Sequence, residues 1–210
     1  MRAVSTLRDL VQCIRDRFPA TEFTEIAVPE ARSSLLVTKT DQSEVGFWCV
    51  GAHEPGKRRV FVVETGCRLP SVEDCLERFE LIGSQKFFPR GLKRFPQLTF
   101  RIDGSKGSNR GLDHGDEPSA FLEKLAAEFG VCSATTSTQI EQNIESLSSP
   151  EWAYPSVSAT ALRALALVWL RQPQNFVQRS EAILEQVRQR DPHDLWKPTK
   201  FSEWLAAQPV

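Results

Sequence analysis

The chain has no long apolar run, no paired-cysteine motif and almost no net charge, and each absence removes a class of function. Its longest apolar stretch, ALRALALVWL at 161–170, is interrupted by Arg163. That falls far short of the ~20 residues a bilayer demands, so no membrane span is expected. The five cysteines, Cys13, Cys49, Cys67, Cys75 and Cys132, are odd in number and form no C-x-x-C pair, which argues against a zinc knuckle or a redox motif. They read as reduced, mostly buried thiols of a cytoplasmic protein. A formal net charge of −1 and a pI near 6.3 argue against a dedicated binder of genomic DNA, because the phosphate backbone selects for a strongly basic face.

Catalytic signatures are missing too. The sequence contains no G-x-x-x-x-G-K-[ST], G-x-G-x-x-G, G-x-S-x-G or H-E-x-x-H, which removes the commonest nucleotide, dinucleotide, hydrolase and zinc-protease patterns. GSKGSNRG (104–111) has glycines and cations without the phosphate-loop spacing. Of the three histidines, His53 and His193 stand alone in turn-like segments and read as surface residues. His114 lies in DHGDE with Asp113, Asp116 and Glu117, a set of hard-cation ligands that fails the EF-hand spacing. A glycine-rich loop is where solvated acidic turns occur in any case, and Asp116 or Glu117 is placed to cap the following helix. No metal and no cofactor are expected.

What is present is a folded protein: 210 residues, 40% hydrophobic and 25% charged, enough to bury a core without metals or disulfides. The N-terminal residues mix both charge signs with spaced apolar positions, unlike a secretion signal or a transit peptide. Leu7, Leu10, Val11 and Ile14 recur at helical spacing behind Ser5 and Thr6 as N-cap candidates, predicting a helix over 5–17. β-rich segments follow at 22–28, 34–39, 45–50 and 58–65. The last two are joined by GAHEPGK, whose Pro55-Gly56 suits a type II turn. Both alternating sets are apolar in VGFWCV and VFVVE, predicting a sheet covered on both faces.

SVEDCLERFELIG (71–83) carries Val72, Cys75, Leu76 and Phe79 on one stripe and Glu73, Glu77 and Glu80 opposite, with Ser71 and Asp74 as a capping box and Gly83 as the stop. A strand at 97–102 and an exposed glycine-rich loop at 103–118 come next. Pro118 opens a helix bearing Phe121, Leu122, Leu125 and Phe129, with Gly130 after it. CSATTSTQ (132–139) reads as a boundary. Helices are predicted at 138–147, at 157–171, apolar all round and hence central, and at 173–190, amphipathic and hence outer. The expected fold class is α+β: a mixed or antiparallel sheet covered by helices over 1–130, then a helical domain over 131–210 with a tryptophan-rich tail.

The order helix, three strands, helix, strand, with Asp41 or Glu44 just before one central strand and Glu64 late in the next, resembles that of the PD-(D/E)xK nuclease core. The resemblance is topological and spans residues 5–102. It implies two acids converging on a divalent metal and a lysine two residues after the second. Gly66 stands where that lysine belongs, with Arg68 or Lys39 as positional substitutes.

The largest charge asymmetry lies in SQKFFPRGLKRFPQLTF (84–100). Extended to 112, it gathers Lys86, Arg90, Lys93, Arg94, Arg101, Lys106 and Arg110 against Asp103 alone, a balance of +6. One reading is a connector whose phenylalanines enter the core while its cations balance the acidic helix before it. A second is a surface for an acidic protein, with Lys86, Phe87, Phe88, Arg90, Lys93 and Arg94 as contacts. A third sends nucleic acid along residues 86–110, with a phenylalanine stacking a base. Trp196 and Trp204 in the tail are further candidate contacts, either packed within the chain or docked on a partner. The function these features favour is a non-catalytic binding or adaptor subunit with a protein partner. The alternatives are a metal-dependent nuclease or its inactive relative, with Asp41, Glu44 and Glu64 as acids, and an RNA-binding accessory protein.

Overall fold

The computed structural model describes residues 3–28, 32–40, 43–52, 60–87, 100–101, 111–113, 115–136, 138–139, 142 and 157–209. The chain forms two units that are not contiguous in sequence: Met1–Leu69 with Phe95–Thr136, and Pro70–Arg94 with Ser137–Val210. The first is an antiparallel sheet with two helices and the second is helical. Together they make the α+β fold class expected from sequence.

In the first unit, α1 (Leu7–Arg17) starts at Thr6, whose side chain accepts from the Asp9 amide while Asp9 reaches back to the Thr6 amide. This reciprocal cap satisfies two otherwise orphaned donors. Four long strands then meander as β1 (Thr24–Val28), β2 (Ser33–Lys39), β3 (Glu44–Ala52) and β4 (Val60–Arg68), every pairing antiparallel. Gly46 in β3 runs so close to β2 that a Cβ there would lie 1.8 Å from the Leu36 carbonyl oxygen. Beyond β4, β5 (Phe100–Arg101) pairs with Gly66 and Cys67, and β6 (Gly111–Asp113) pairs with Val60–Val62. The expected loop at 103–118 therefore contains a strand: Leu112 is buried against the core opposite Phe61, a single apolar residue too isolated to show periodicity. The Pro55-Gly56 turn and residues 102–110 lie outside the described residues.

Alternation in β3 and β4 sends Val45, Phe47, Cys49, Phe61, Val63, Thr65 and Cys67 to one face, all buried. That face packs with Leu10, Val11 and Ile14 of α1 and with Leu122 and Leu125 of α3 (Ser119–Ala134). Phe18, Phe23, Phe47 and Phe129 form a cluster with ring centroids 4.9–6.1 Å apart. Burying such a ring contributes roughly 1.5–3 kcal/mol. Within this unit both described helices therefore lie on one face. Helix α3 also continues through Gly130 to Ala134, since a glycine with nothing to pull the backbone out of the helical region costs only ~1 kcal/mol. The opposite face carries Leu35 and Val37 with Ile26 and Trp48 packed on them.

The second unit comprises α2 (Pro70–Phe87), α4 (Val157–Arg171), α5 (Phe176–Arg190) and α6 (Trp196–Ala206). Residues 161–168 of α4 are all buried, as expected of a helix apolar all round. Helix α5 buries Phe176, Ile183 and Val187 but leaves Val177 67% exposed. The helix expected at 138–147 falls largely outside the described residues. Among the described residues no helix is long and apolar enough to cross a membrane.

Candidate partner-binding site

Helix α2 is fixed within its unit by two unlike contacts. Val72, Cys75 and Leu76 are buried along the predicted stripe, and burial pushes the Cys75 thiol up to about 11 against the opposing pull of Arg78. Phe79 meets Phe201 at 4.8 Å and Trp204 at 5.7 Å, and Phe201 and Trp204 stack at 15°. The second contact was not legible from the helix alone. Glu73, which the spacing assigns to an acidic outer face, is 5% exposed. The Arg163 guanidinium donates to both of its carboxylate oxygens, at 2.8 and 3.3 Å. A buried charge is tolerated only when paired and hydrogen-bonded, and Arg163, interrupting an otherwise apolar run, was the available sign that such a pair existed.

Helix α2 does not stop at Gly83 but continues to Phe87. Lys86 and Phe87 thus occupy its last turn. Phe88, Arg90, Lys93 and Arg94 lie outside the described residues. The described part of the stretch, Lys86 and Phe87, belongs to the helical unit, and so does the tryptophan tail. There the two candidate tryptophans differ. Trp204 is half-buried and stacked on Phe201, whereas Trp196, the first residue of α6, is 46% exposed.

The acidic residues of the nuclease resemblance are placed otherwise. Glu44 accepts from Arg68 Nη1 at 2.7 Å, both largely buried, and Lys39, Glu44 and Arg68 stand side by side on neighbouring strands. Glu64 is opposite Trp48, four register positions further along, which is roughly 13 Å at the usual strand rise. Glu44 is thus matched to cations on both sides and is not brought together with Glu64; Asp41 lies outside the described residues. Among the described residues no group of three or more His, Cys, Asp or Glu side chains gathers around a common point.

In the DHGDE segment, Gly115 adopts φ +90°, and its amide donates to Val4 while the Val4 amide donates to Asp116. Glu117 accepts from the Ser119 hydroxyl and amide at the start of α3. Those hydrogen bonds hold its carboxyl below the ordinary range. The segment works as a helix cap and an anchor for the N-terminal strand of backbone; His114 lies outside the described residues.

No family model matches the chain, and neither a curated protein nor a solved structure is found to be similar to it.

Proposed function

We propose that this protein is a non-catalytic binding or adaptor subunit that engages an acidic surface of a protein partner through the basic aromatic stretch Lys86–Arg94, with Trp196 as a second contact. The observation that carries this reading is the anchoring of α2. The densest cluster of cations in the sequence begins on the last turn of a helix held by Glu73–Arg163 and by Phe79 on Phe201 and Trp204. A segment that starts from a held helix has one end fixed before binding, which lowers the conformational freedom lost on docking. An exposed tryptophan is the residue type most often found to dominate an interface. The five free thiols suit a reducing compartment such as the cytoplasm.

The test is capture of partners from the native host by the intact chain beside a Lys86→Glu/Arg90→Glu/Lys93→Glu/Arg94→Glu variant whose circular dichroism is unchanged. A protein retained by the first and lost by the second supports the reading. Loss of bound RNA instead turns it to a nucleic-acid accessory role, and equal capture by both removes the stretch from the contact surface.

A further inference from the structure

We infer that β1 is a self-pairing edge through which two copies of this chain join into one continuous sheet. The inference is independent of the adaptor reading and uses the other unit. Strand β1 ends the sheet: among the described residues it pairs only with β2. Thr24, Glu25 and Ala27 are exposed and Ile26 is half-buried. An edge strand presents a row of backbone donors and acceptors that another strand can take up.

Edges that must stay single are usually blunted by lysine, proline, a bulge or an inward-turned charge. Residues 24–28 contain neither lysine nor proline, and their register with β2 runs through five consecutive pairs without a bulge. The strand's one charge, Glu25, is committed to its own unit. Its carboxylate accepts from Ser34 Oγ at 2.6 Å and pairs with Arg15 at 3.3 Å.

The sequence TEIAV is also self-complementary. Antiparallel pairing about a two-fold axis at Ile26 sets Ile26 opposite Ile26 of the second copy, Glu25 opposite Ala27 and Thr24 opposite Val28. No like charges face each other, and β-branched residues meet at three successive alternate positions, the pairing that stabilises sheets best. Ile26 already packs at the margin of the patch formed by Leu35, Val37 and Trp48. A second Ile26 beside it extends that patch across the axis. Two-fold, same-patch contacts of this kind are the commonest route to closed dimers. Five residues a side make a small interface, so the dimer is expected at high protein concentration.

The test combines sedimentation over a dilution series with cross-linking of the full chain carrying Cys13→Ser, which removes the cysteine that is not buried. Mild oxidation of Ile26→Cys is expected to give a disulfide-linked dimer, and Thr24→Cys, whose opposite residue is Val28, is expected to give little. Ala27→Glu, at an exposed position, sets a second carboxylate opposite Glu25 on each side of the axis and should weaken association at least tenfold with unchanged circular dichroism. A chain that stays monomeric at every concentration, cross-linking equal at positions 24 and 26, or a dimer indifferent to Ala27→Glu overturns the inference.

Discussion

Glu73 and Arg163 are ninety residues apart in sequence and share a buried ion pair, at 5% and 3% exposure. Removing one partner strands the other charge in the interior, so Glu73→Ala should cost about 3–5 kcal/mol in denaturant unfolding. By contrast, Glu185→Ala breaks the exposed Arg188–Glu185 pair and should shift stability by no more than about 0.5 kcal/mol. A helical wheel of 71–82 cannot distinguish Glu73 from Glu77, because the distinction is made by a guanidinium on another helix. The thiols follow the same logic of burial. Four of the five are buried and Cys13 is not, so iodoacetamide should label Cys13 alone in the native state and all five after unfolding, read by mass spectrometry. Cys75 is raised from 9.0 to about 11. Its neutral thiol therefore contributes stability that is complete below about pH 9 and lost as pH rises through 11. The denaturant midpoint should fall over that window, and less steeply in Cys75→Ala.

At the scale of elements, most boundaries were legible and the glycines misled. Helix α1, the four meander strands and the buried α4 follow from caps and periodicity, signals carried by neighbours in sequence. Gly83 and Gly130 look like stops in sequence, yet both helices run through them, because a glycine ends a helix only where the next turn has a better place for its backbone. A methyl group at Gly130 would meet nothing within 4 Å, so Gly130→Ala should raise stability by about 0.5–1 kcal/mol, measured by thermal melting. Gly46→Ala should do the reverse and severely, since the methyl would collide with the Leu36 carbonyl. The short strand β6 leaves no mark in the sequence pattern because pairing with Val60–Val62 is a non-local event for a segment with one apolar side chain. Of the candidate contacts, the exposure of Trp196 and the stacking of Trp204 could not be separated from sequence, as both sit in the same amphipathic segment.

At the scale of the whole chain, a helical C-terminal region was visible in composition, whereas the membership of α2 was not. The sequence pattern groups 1–130 together, whereas by contact Pro70–Arg94 falls in one unit with Ser137–Val210. A fragment ending at residue 130 keeps Val72, Leu76 and Phe79 while losing Arg163, Phe201 and Trp204. It should expose that stripe, bind a hydrophobic dye and aggregate, in contrast to the full chain.

Phe79 leaves the ribosome more than a hundred residues ahead of Phe201, its ring partner. At the usual elongation speed that is a wait on the order of ten seconds, far longer than the microseconds in which a helix forms. During that interval the apolar stripe of α2 lacks its aromatic partners, so the nascent chain is expected to be most prone to aggregation until Phe201 and Trp204 have been translated.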